Sequence, residues 1–142
     1  GFFNVHVNIT GAAGVALLAV VPFCLTANIM LANNICDVEH DIRVNRYTLA
    51  FYLKKYALYL FAFFYYAVYI SVVAMVVLHL LSPLSLILLV TLIPVQKNIN
   101  TFFKKQVKEE TFIVSIKNFL LIITVHIVLI FLGNLLPGWG PQ

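Results

Sequence analysis

Asn33, Asp37 and Asp41 recur four residues apart within NNICDVEHDIRVNRYTLA, the stretch from Asn33 to Ala50. On a helix that interval stacks the three side chains along one face. Two carboxylates and a carboxamide facing the same way offer oxygens to a hard divalent cation. Magnesium prefers such ligands, and is commonly held by one or two carboxylates together with waters and substrate phosphates. Arg43 and Arg46 follow at once, and the planar guanidinium suits two-point contact with phosphate. Asp37 and Asp41 with Asn33 as oxygen donors to a cation, and Arg43 and Arg46 toward a diphosphate, form the one constellation in the chain that speaks of chemistry.

A plainer reading makes these charges a solvated loop in which acids balance nearby arginines. Three features weigh against it. Asn28, Asn33 and Asn34 put carboxamides in the last turns of an apolar run, where polar groups generally face a bundle interior or a cavity. The acid spacing is regular. Three of the five acidic residues lie between Asp37 and Asp41, so the concentration is local. Arg43 and Arg46 also serve as topology-setting charges, and Lys54 and Lys55, further along, are expected to do that alone.

The elements that position this stretch belong to a bilayer. Of the 142 residues, 63% are hydrophobic and 10% charged, a balance that a water-exposed domain does not carry. A net charge of +4 confined to short segments excludes nucleic acid as a partner, because there is no continuous basic face. No basic residue precedes the first apolar run, so no cleaved signal is expected. Cys24 and Cys36, if on one helix, sit about 18 Å apart at about 1.5 Å per residue, beyond disulfide reach. His6, His40, His79 and His126 show no metal-ligand spacing. The aromatic run Phe61–Tyr69 is expected mainly to pack, although such a wall can also stabilise a cation.

Four apolar stretches are long enough, or nearly so, to cross roughly 30 Å of hydrocarbon. They run from Ala12 to Ala32, from Tyr56 to Leu81, from Leu84 to Gln96 or Phe103, and from Phe112 to Leu136. Ser82-Pro83 is expected to end the second and Pro137-Gly138 the fourth. The third is short. No linker divides them, so residues 1–142 read as a single membrane-embedded helical unit. Arg43, Arg46, Lys54 and Lys55 lie between the first two stretches, and Lys97, Lys104, Lys105 and Lys108 between the last two. Four crossings bring both basic loops to one side, which the positive-inside rule makes cytoplasmic for a multi-pass protein of the plasma membrane. Lys117 snorkels from the fourth stretch, and Trp139 is expected at the opposite interface.

The asparagine pair Asn33-Asn34, the DxxxD of Asp37 and Asp41, the basic Arg43 and Arg46, and the closing Thr48-Leu49-Ala50 occur in this order within eighteen residues. In that combination the stretch resembles the second aspartate-rich motif of the UbiA superfamily of intramembrane prenyltransferases. It is most similar to the branch acting on 1,4-dihydroxy-2-naphthoate in menaquinone biosynthesis. The opening GFFNVHV is also similar to the segment preceding this helix in that branch. The resemblance implies an all-α fold of nine membrane helices, of which this chain would be the carboxy-terminal part with about four. It implies magnesium as cofactor, held by Asp37 and Asp41 as catalytic ligands, with Asn33, Arg43 and Arg46 binding the diphosphate. Its partners would be a polyprenyl diphosphate, an aromatic acceptor, the bilayer, and a missing amino-terminal half carrying the first aspartate-rich motif.

Three departures stand out. Asn45 occupies a place usually held by glycine, though asparagine tolerates left-handed backbone angles. Tyr47 stands where a basic residue is common. Only one aspartate-rich motif is present, so the chain taken alone is expected to be inactive. The alternative is a small non-enzymatic membrane protein or transporter subunit whose acidic and basic cluster binds a cation or an anion.

Overall fold

The computed structural model describes residues 2–135, with side chains from residue 11 onward. Every regular element among them is helical: α1 (Phe2–Cys36), α2 (Val38–Arg43), α3 (Leu49–Leu53), α4 (Tyr56–Val77), a 3-10 segment (Pro83–Thr91), α5 (Leu92–Lys104) and α6 (Ile113–Leu135). Four stretches are long and apolar enough to cross a membrane: Gly11–Cys36, Tyr56–Val77, Pro83–Lys104 and Ile113–Leu135. Helices suit that solvent because they satisfy their own backbone polar groups. The expected stop at Pro137-Gly138 and the interfacial Trp139 lie outside the described residues.

Two boundaries differ from expectation, each for a local reason. Ser82-Pro83 does not end α4, which stops at Val77. His79 turns left-handed with φ 61°. Its N–H then reaches the Val76 carbonyl at 3.1 Å, and the Leu80 N–H reaches that of Met75 at 2.8 Å. Two terminal carbonyls are satisfied before the proline arrives. The third stretch, short as a run of apolar residues, is long as a structure. Pro83–Thr91 rises about 2.0 Å per residue and Leu92–Lys104 about 1.5 Å, giving roughly 37 Å of axis against roughly 30 Å of hydrocarbon.

That 3-10 winding follows from its entry and its contacts. The Ser82 hydroxyl accepts the Leu84 N–H at 3.2 Å, with Pro83 in the first turn. Ser85, Leu88 and Thr91, three residues apart, form the buried edge, as a three-residue period requires. The Thr91 hydroxyl bonds the Leu88 carbonyl at 2.6 Å and meets the Tyr69 hydroxyl at 2.8 Å. Beyond it α5 is two-faced. Val95, Ile99 and Phe102 are buried, while Lys97, Asn100, Thr101 and Lys104 are exposed.

The most extensive contact is α1 on α4. In lipid no hydrophobic force drives helices together, so close packing and interhelical hydrogen bonds must do so. Phe61 packs at 4.6 Å on Phe102 and edge-on at 5.1 Å to Tyr65, and all three rings are buried. Most of the aromatic run thus has the packing role expected of it, although Phe63 and Tyr66 face outward. Asn28 donates to the Phe61 carbonyl at 2.9 Å and ties α1 to α4.

Contacts at opposite ends define the bundle. Asp37 and Lys108 meet at 2.7 Å, so the loops after α1 and after α5 share one end. At the other end Leu80 lies against Gly14, and Ser82 against Gly133. Cysteine probes near Arg46 and near Lys105, in a chain with Cys24 and Cys36 replaced by Ala, should label from the same face of the membrane. A probe at Pro83 should label from the other face.

The two glycines differ in what they tolerate. A Cβ on Gly133 would lie 2.7 Å from the Ser82 Cβ, whereas one on Gly14 stays 3.7 Å from Leu80. Gly133→Ala should therefore destabilise the bundle by roughly 1–3 kcal/mol, the usual cost of overpacking. Gly14→Ala should stay within about 0.5 kcal/mol of the parent. Unfolding in mixed micelles distinguishes them.

Candidate functional site

Where α1 ends, the chain does not leave its helical path. The Asp37 N–H bonds the Asn33 carbonyl at 3.0 Å, and the Asp41 N–H bonds the Asp37 carbonyl at 2.8 Å. Asp37 itself departs from α geometry, with φ −100° and ψ 6°, yet the four-residue ladder runs through it. Asn33, Asp37 and Asp41 therefore lie in register on one face, as their spacing implied. Asn33 and Asp37 are half-buried, and Asp41 is only 5% exposed.

Past Asp41 the chain turns back on itself. Asn45 adopts φ 59°, the left-handed angle this position demands, which asparagine accepts more readily than most residues. The Asn45 N–H then bonds the Ile42 carbonyl at 3.0 Å, and the Arg46 N–H bonds that of Asp41 at 2.8 Å. The backbone of Arg46 is thereby returned to Asp41. The side chains of Arg43 and Arg46 are exposed, and neither forms an ion pair among the described residues. Tyr47 packs against Phe51 of α3, with ring centroids 4.9 Å apart and planes tilted by 58°.

The sequence reading missed Lys108. Its ammonium donates to Asp37 Oδ2 at 2.7 Å across 71 residues of chain. The hydrogen bond to Asp37 is the main reason that the Lys108 pKa is raised above the ordinary lysine value. The ammonium is held to higher pH in the folded chain than in the unfolded one. The stabilisation linked to the Lys108 shift is therefore complete at neutral pH and is lost as pH climbs through the raised pKa.

The oxygens of this face form no closed cage. No group of three or more His, Cys, Asp or Glu side chains able to hold a metal converges among the described residues. Asp37 and Asp41 supply two carboxylates and Asn33 an amide oxygen. Asp37 already accepts one positive charge, from Lys108. A magnesium ion needing six oxygens would take the remainder from water and from a bound phosphate.

Below this end the bundle has a polar interior. Asn28 of α1, Tyr65 of α4 and Asn118 of α6 are buried, and Asn98 of α5 donates to Asn118 Oδ1 at 2.8 Å. The Tyr65 hydroxyl lies beside the carboxamides of Asn28 and Asn118. Even so, Asn28 Oδ1, Tyr65 Oη and Asn118 Nδ2 complete no hydrogen bond among the described residues. An amide in the first, third and fourth spans was the signal for this cluster, read at Asn28 but not at Asn98 or Asn118. A second polar ladder lies on the outer side, where Tyr66 donates to Gln96 at 2.5 Å and Gln96 to Asn100 at 3.0 Å. Cys24 and Cys36 are both free and His126 is buried, as packing residues are.

No protein-family model, no curated protein and no solved structure matches this chain.

The Asp37–Lys108 pair should show a measurable coupling in a double-mutant cycle of Asp37→Asn and Lys108→Met, read as unfolding free energy. Because both side chains are partly exposed, the coupling should shrink as salt is raised. A coupling of zero at low salt would mean that the two loops are held together by packing alone.

Proposed function

We propose that this chain is the carboxy-terminal part of a UbiA-type intramembrane prenyltransferase, transferring a polyprenyl group from its diphosphate to an aromatic acceptor. The acceptor class carried by the resemblance is 1,4-dihydroxy-2-naphthoate, in menaquinone biosynthesis. The observation that carries the reading is the acidic face of α1 and α2. Asn33, Asp37 and Asp41 stay in register through a helix break, Asp41 is buried, and the chain folds Arg46 back onto it. A buried carboxylate at the edge of a membrane bundle is costly unless a cation or hydrogen-bond donors compensate it.

In this reading Asp37 and Asp41 hold magnesium, Asn33 supports it, and Arg43 and Arg46 contact the diphosphate oxygens. When bound, magnesium neutralises charge on the departing diphosphate. For Asp37 to offer both oxygens to the metal, the Lys108 ammonium would have to give up its contact with Asp37 Oδ2. The helices exclude water from the allylic centre, so that the acceptor ring rather than water attacks it. The first aspartate-rich motif comes from a segment outside these residues, and the basic end is the cytoplasmic one.

A second reading rests on the Asp37–Lys108 ion pair. If that pair is a permanent latch between loops, the chain is a non-enzymatic membrane protein or transporter subunit. The native reading frame separates the two. Upstream codons for further spans and a second aspartate-rich motif belong to the enzyme, whereas a start codon near Gly1 belongs to the alternative.

In the complete protein, Asp37→Ala and Asp41→Ala should each lower prenyl transfer by about 100-fold or more, the scale of losing one electrostatic contact to a leaving group. Magnesium and a non-hydrolysable prenyl diphosphate analogue should each tighten the other's binding, as linkage requires. Calorimetric titration with and without magnesium measures this. Near-parental turnover in both variants would sink the site, and strong magnesium-independent binding would move the diphosphate to Arg43 and Arg46 alone.

A further inference from the structure

On the flank of α1 away from its acidic face, a cleft opens between the end of α1, α3 and the start of α4. Ile35, which lines it, lies two residues from Asn33 and from Asp37, about 200° around the helix from either. The cleft holds about 440 Å³ and is walled by Ile35, Val38, Phe51 and Leu58, with Lys54 and Lys55 at the junction of α3 and α4. Its remaining polar residue, Gln106, commits its amide N–H groups to the Phe102 and Phe103 carbonyls at 2.6 and 2.9 Å. Two ammonium groups are left as the donors of an otherwise apolar cleft. Neither forms an ion pair among the described residues.

Lys54 carries a second sign. Its backbone sits at φ 52° and ψ −128°, a region open to glycine and strained for any residue with a Cβ. A lysine there is worse for the turn than glycine would be, so the turn itself does not account for it.

We propose that this cleft binds an anionic phospholipid, its phosphate on Lys54 and Lys55 and its acyl chains along Ile35, Val38, Phe51 and Leu58. The depth is right, because the cleft lies where α1 leaves its span and α4 enters the next, at headgroup level. The charge is right, because two cations with no carboxylate partner among the described residues meet one phosphate, Lys55 resting only 5.5 Å over the Tyr56 ring. Basic pockets between membrane helices select lipid head groups on this principle, each lysine contributing about fivefold in affinity.

The test is thermal unfolding of the full chain in neutral detergent without magnesium, titrated with dioleoyl phosphatidylglycerol, dioleoyl phosphatidylcholine or inorganic phosphate. Phosphatidylglycerol should raise the midpoint, and the other two should not. Lys54→Gly should keep or raise the lipid-free midpoint, by relaxing the turn, yet need about fivefold more phosphatidylglycerol for the same shift. Lys55→Gln, outside the strained position, should show the same weakening and serves if Lys54→Gly does not fold. Lys104→Gln, at the same end but outside the cleft, should respond like the parent. Equal shifts with phosphatidylcholine, a shift with phosphate alone, an undiminished response in the Lys54 and Lys55 variants, or an equal loss in Lys104→Gln would each overturn the proposal.

Discussion

Hydrocarbon offers no partner to a peptide N–H or carbonyl, and the architecture of this chain depends on that. Each helix must bring its own hydrogen bonds, and each end must find substitutes for those the helix no longer supplies. Asn45, Lys54 and His79 all stand at such ends with left-handed φ angles of 59°, 52° and 61°. At Asn45 and His79 the reversal folds two successive N–H groups back onto terminal carbonyls. Closure of the backbone takes precedence over the preferences of the side chain.

The acidic face inherits its geometry from the same requirement. Because the ladder of backbone bonds continues across Asp37, the two carboxylates and Asn33 keep a common face rather than splaying into a loop. The return at Asn45 then delivers Arg46 to Asp41 by a backbone bond, independent of any side-chain contact. Lys108 adds a tethered charge from the far end of the chain. The result is a local balance in which one carboxylate is compensated by protein and the other is buried nearby.

What could be read before folding was what local pattern encodes. The apolar runs marked all four spans, the clustered lysines and arginines grouped the loops, and the four-residue interval placed Asn33, Asp37 and Asp41 together. Asn45 was legible too, because its tolerance for left-handed angles is intrinsic. The end of α4 was not, since histidine carries little preference for the role His79 plays, and the nearby proline was the louder signal. Lys108 was hidden for another reason. A contact across 71 residues leaves no periodic trace, and its lysine read like every other loop lysine. Tyr65, Asn98 and Asn118 meet only because three helices converge.

The 3-10 segment sets more than the length of the third span. Nine residues turning about 120° each, rather than about 100°, accumulate roughly half a revolution relative to an α-helix. Rewound as α-helix, the same residues would deliver α5 back to front. Val95, Ile99 and Phe102 would look outward, Lys97 and Asn100 would be pressed into the core, and the basic end would fall about 4–5 Å short. The winding of Pro83–Thr91 therefore works as a phase setting, deciding which side of the following helix the rest of the bundle meets.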